Sequence, residues 1–75
     1  MRIHFSRHAK RRAKLYKIHQ SKIELLLSDL KLTEGENIVI KELAGFEYPI
    51  KIVLSVEKDD ATIITVYPLK KGIQQ

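Results

Sequence analysis

Between Ser6 and Lys17 the chain reads Ser-Arg-His-Ala-Lys-Arg-Arg-Ala-Lys-Leu-Tyr-Lys, and here its residue types could do chemistry. The stretch holds six of the fourteen Lys and Arg residues and one of the three histidines. His8 and Arg12 are four apart, so they share a face if the segment is helical. An imidazole beside a guanidinium can move a proton while a phosphate oxygen is held, as cleavage of a phosphodiester requires. Tyr67, a tyrosine at a strand end with its hydroxyl at the rim, is the third candidate catalytic group. Arg7, Arg11 and Lys14 on the same helix, and Lys51 on a strand, are candidate RNA-binding residues that would hold phosphates. The plainer alternative is a solvated basic helix, in which His8 bonds to sheet backbone and only locks the helix in place.

Other chemistries find no residues to carry them. The three glycines are scattered, so there is no phosphate-cradling loop. His4, His8 and His19 lack metal-ligand spacing, and no pair of carboxylates stands out. There is no cysteine, hence no disulfide framework and no cysteine-based zinc site. No metal and no cofactor are expected.

The elements that must position these groups belong to one small domain spanning residues 1–75. A hydrophobic content of 44% is enough for one core. The formal charge of +5 favours an acidic partner, either nucleic acid or an acidic protein. No apolar stretch is long enough to span a membrane, and the first residues lack the apolar region of a signal peptide. A cytoplasmic location is expected.

Arg2-Ile3-His4-Phe5 alternates and predicts an opening strand. Ser6 is placed to cap a helix whose buried stripe is Ala9, Ala13 and Tyr16. Ser21 and Glu24 fit a capping box that would start a second helix, with Ile23, Leu26, Leu27 and Leu30 as its apolar face. A loop at Thr33–Asn37 follows, then a strand from Ile38, a turn at Ala44-Gly45, and a clear alternating strand from Tyr48 to Glu57. Lys58-Asp59-Asp60 reads as a three-residue turn into a last strand, Ala61–Tyr67. The fold class is therefore α+β in the order β-α-α-β-β-β, an antiparallel sheet with two helices packed on one face. The opening strand is expected along an edge or beside the last strand. A three-residue turn sets Glu57 opposite Ala61, Leu54 opposite Ile64, Val53 opposite Thr65, Ile52 opposite Val66 and Lys51 opposite Tyr67. The face bearing Lys51, Ser55, Glu57, Thr65 and Tyr67 is then open.

The run His8-Ala9-Lys10-Arg11-Arg12-Ala13, then Ile18, then Ser21-Lys22-Ile23-Glu24, with Ile64-Thr65-Val66-Tyr67 near the end, covers nearly the whole chain. It resembles a family of small bacterial and archaeal domains that open with a strand and His-Ala-x-x-Arg and close with a strand like Ile-Thr-Val-Tyr. These domains look like relatives of BrnT-type toxins and, more distantly, of RelE/ParE-type toxins. The resemblance implies a RelE-like toxin fold, metal-independent cutting of RNA by basic residues with Tyr, His or Glu, and an antitoxin protein as partner. By position, His8 and Arg12 match the leading motif, and Thr65 and Tyr67 the closing one. Where the family commonly has a second arginine followed by glycine, this chain has Tyr16 and Lys17.

The expected function is thus a metal-independent endoribonuclease toxin of a toxin–antitoxin pair. Its alternatives are a non-catalytic RNA-binding module on the same basic surface, and a protein-interaction domain with an acidic partner.

Overall fold

The structure, a computed structural model, describes residues 2–69. The basic run Lys70-Lys71-Gly72 and the residues after it lie outside the described residues. The elements are β1 (Arg2–Phe5), α1 (Arg7–Leu15), α2 (Gln20–Ser28), β2 (Gly35–Lys41), β3 (Ile50–Glu57) and β4 (Asp60–Pro68). The class is α+β in the expected order, but the sheet is mixed. Its strand order is β1-β4-β3-β2; β2, β3 and β4 form an antiparallel meander, and β1 lies parallel to β4. The wholly antiparallel sheet is therefore corrected. The reason lies at both ends of β1. The Arg2 N–H donates to the Asp59 carbonyl at 2.7 Å, fixing the strand's start at the β3–β4 turn. The Ser6 N–H donates to the Ile63 carbonyl at 3.0 Å, fixing its exit halfway along β4. Only a parallel course satisfies both.

The β3–β4 register is right in one half and slips in the other. Lys51 faces Tyr67, Ile52 faces Val66 and Val53 faces Thr65, as the alternation predicts. Nearer the turn, Leu54 faces Ile63, Val56 faces Ala61 and Glu57 faces Asp60. The turn is thus two residues, Lys58-Asp59, with Lys58 in the left-handed region at φ 57°. The Lys58 N–H also donates to the Glu34 carboxylate at 2.6 Å. The residue saved in the turn reappears as a β-bulge at Ile64, which switches the inward side chains from Ala61 and Ile63 to Val66.

The core fills the space between this sheet and both helices. Ile50, Ile52 and Leu54 of β3, Ile63 and Val66 of β4, and Ile23 of α2 are fully buried. Ala9 and Ala13 of α1 lie in the same cluster, and their small side chains let that helix sit close on β4. Burying an aliphatic side chain of this size contributes about 1.5–3 kcal/mol, so these few residues carry much of the fold.

The helix ends are set by different devices. At α1 the Ser6 hydroxyl accepts from the Ala9 N–H at 3.0 Å, the expected N-cap. At its far end the Ile18 N–H donates to the Ala13 carbonyl at 2.8 Å and the Lys17 N–H to that of Lys14 at 3.2 Å. This is a Schellman turn with Lys17 at the left-handed position, φ 58°, where glycine is usual. The second helix does not start at Ser21. It starts at Gln20, with His19 as an N-cap that makes no side-chain bond, and Ser21 is an exposed residue within the first turn. Ile18 and Ile23 explain the earlier start: both are buried and flank the cap as a hydrophobic staple, which sets the entry angle ahead of the Ser21–Glu24 pair.

Candidate nucleic-acid interface on the first helix

The first helix presents cations because its apolar content is minimal. Only Ala9 and Ala13 are buried, so Arg7, His8, Lys10, Arg11 and Lys14 are all exposed and Arg12 is half-buried. The chain's first 23 residues hold eight of its fourteen Lys and Arg and none of its nine Asp and Glu. The helix that this segment forms is therefore strongly positive, with no carboxylate in its own sequence to neutralise it.

The Schellman turn brings the start of α2 back beside α1 and makes a groove of about 840 Å³ between them. Lys10 and Lys14, one turn apart on the same flank of α1, form one wall with Lys17 of the turn that follows it. His19, Gln20 and Ser21 form the other. No carboxylate lines it, and among the described residues none of the three lysines makes an ion pair. His19 gives the first turn of α2 no side-chain cap, although its carbonyl accepts from the Lys22 N–H at 3.0 Å. Like charges held this close repel one another, and a phosphate oxygen between them relieves that repulsion.

The residues singled out from sequence fall into three places. Lys14 lines the groove. Arg7 and Arg11 stand exposed on the solvent side of α1, between its two flanks. His8 and Arg12 share the other flank, about 160° around the axis from Lys10 and Lys14 at 100° per residue. His8 is exposed and makes no hydrogen bond among the described residues; the serine hydroxyl, not the imidazole, ties the helix to the sheet, by donating to the Ile64 carbonyl at 2.9 Å. Lys51 and Tyr67 are cross-strand partners on the sheet face turned away from the helices, with the Lys51 ammonium 5.8 Å from the centre of the Tyr67 ring. The third residue in that row is Ile40, and the neighbouring row is Thr65, Val53 and Ile38. Lys51 is thus the one cation that β2, β3 and β4 place on the open face. The structure joins Lys51 with Tyr67, and His8 with Arg12. No hydrogen bond or ion pair among the described residues links one pair to the other.

Sequence reasoning missed Lys10, Lys17 and His19. Part of their signal was present: Lys10 and Lys14, four apart, share one helix flank. What hid the groove was its second wall, which exists only because the chain turns at Lys17. Lys17 itself occupies a left-handed position that a glycine would fit without strain.

Among the described residues no group of three or more His, Asp or Glu is placed to hold a metal ion, and no helix is long and apolar enough to cross a membrane. No protein-family model matches the chain, and comparison with curated proteins and with solved structures finds no match to it.

Proposed function

We propose that the chain is an RNA-binding module that grips the phosphate backbone with α1 and the groove beside it. The observation that supports this best is the convergence of three lysines and one histidine on a groove without a carboxylate, the lysines free of ion pairs among the described residues. Arg7 and Arg11, exposed beside it, extend the positive surface by further phosphate contacts. RNA rather than DNA follows from the resemblance to RNA-cutting toxin domains; the charge alone serves either. The test is binding of a labelled single-stranded RNA as salt is raised. Affinity should fall steeply. Replacing Lys10, Lys14 and Lys17 together by Ala should make the slope shallower by about 2, at roughly 0.7 for each phosphate no longer neutralised. Unchanged affinity and slope in the triple variant would sink the proposal.

A second reading, a metal-independent endoribonuclease toxin with an antitoxin partner and a RelE-like fold, is favoured by one observation. His8 is exposed, one helical turn from Arg12, and bonds to nothing among the described residues. In that reading His8 exchanges the proton and Arg12 holds the phosphate, with Tyr67 reached only by RNA that passes the sheet edge. RNA fragments formed in excess chelator and abolished by His8→Ala select it. Binding without cleavage leaves the first reading standing alone.

A further inference from the structure

The sheet ends in two unlike edges. β1 is four residues long and presents Arg2 and His4, with the His4 ring 3.3 Å from the Asp60 carboxylate. Short, charged strands of this kind resist pairing with another chain. β2 is seven residues long, without proline or bulge, paired continuously with β3 from Gly35 to Lys41. Among the described residues no main-chain hydrogen bond reaches β2 from any strand but β3, so its outer row of N–H and C=O groups is open. Ile38 and Ile40 are 58% and 52% exposed. The strand is also held ready: the Asn37 side chain donates to the Thr33 and Gly35 carbonyls and accepts from the Thr33 N–H, which pins the loop that enters it.

We infer that β2 is a self-association edge, through which a second copy of this chain pairs antiparallel to give one continuous eight-stranded sheet. The charge distribution names the occupant. A chain of net charge +5 repels its copies, and most strongly at α1. β2 carries one Glu and one Lys, so it is formally neutral. It is also the edge farthest in the strand order from β1 and β4, on which α1 packs. Pairing through β2 is the approach that keeps the two basic helices at opposite ends of the joint sheet. The strand is self-complementary as well. A two-fold axis through Val39, perpendicular to the sheet, keeps the open faces on the same side. Ile38 of each copy then lies opposite Ile40 of the other, so four exposed isoleucines become one stripe. On the helix side a groove of about 460 Å³, lined by Leu25, Leu26, Leu30 and Leu43 together with the charged Lys22, Asp29, Lys41 and Glu42, includes the last residue of the same strand.

The chain contains no cysteine, so one introduced thiol reads the geometry cleanly. Directly opposite residues in antiparallel strands have Cα atoms about 4.5–5.5 Å apart, within the span a disulfide accepts. Val39→Cys should give a disulfide-linked dimer under mild oxidation, and Arg2→Cys, on the protected edge, should give none at the same concentration. Sedimentation of the unmodified chain over a wide dilution series should show a reversible dimer. That dimer should disappear when Ile38 and Ile40 are both replaced by Lys, with the circular dichroism of the fold unchanged. A monomer at every concentration, or equal cross-linking at both edges, overturns the inference; in the first case the edge is left for a strand from a different protein.

Discussion

The two ends of the sheet use their residues in opposite ways. At the β1–α1 end, every local device ties the chain to itself. One serine caps the helix and bonds to the bulge in β4, alanines seat the helix on that strand, and a Schellman turn folds the next helix back. Its outward surface is charge. At the β2 end, the strand is pinned at its entry by Asn37 and is otherwise bare, with isoleucine on its open face. The lesson is that stability and recognition are divided between regions. The first end is held by interactions within the chain and offers solvent mainly cations. The second contributes little to its own burial and keeps an unused pairing capacity.

That contrast can be broken at three positions, taken from the largest expected effect to the smallest. Ser6→Ala removes the bond to the Ala9 N–H and the tie to the Ile64 carbonyl together, and should lower stability by about 1–2 kcal/mol in urea denaturation. A drop no greater than at ordinary surface sites would show that the bulge and cap do not act as one unit. Lys17→Gly should raise stability by about 0.5–1 kcal/mol, because glycine adopts the left-handed turn without strain. It should also reduce the salt dependence of RNA binding by about one phosphate's worth of counterion release. This substitution sharpens the comparison, since it separates the turn's mechanical role from the charge it displays. Ile40→Thr, at the other end, should leave monomer stability within about 0.5 kcal/mol, because the side chain is half in water already. A thermal melt showing clear destabilisation would mean that β2 is held by its open-face packing after all.

Much of this architecture was legible in the residues. The alternation of Ile50, Ile52, Leu54 and Val56 marked both the strand and its buried side, and Ser6 announced the helix that follows it. The errors have specific causes. Ser21-x-x-Glu24 is a good local capping pattern, but Ile18 and Ile23 bury more surface by starting the helix at Gln20, and packing prevails over a cap. Lys58-Asp59-Asp60 fits a three-residue turn equally well as a two-residue turn plus a bulge. The bonds that go with the observed turn and bulge are non-local: Ser6 to the Ile64 carbonyl spans 58 positions and Lys58 to Glu34 spans 24. The direction of β1 was invisible for the same reason. For the site, the cation-rich helix was evident, and the chemistry of His8 and Arg12 marks one of its flanks. The groove belongs to the opposite flank and needs the turn at Lys17 to exist.

The parallel pairing of the first strand with the last has a consequence for how the molecule comes into being. His4 lies beside Thr62, so the first strand pairs only with residues far along the chain. The β2–β3–β4 meander has only nearby pairings to close and can assemble first. Docking of β1 and α1 on β4 is the long-range step and follows it.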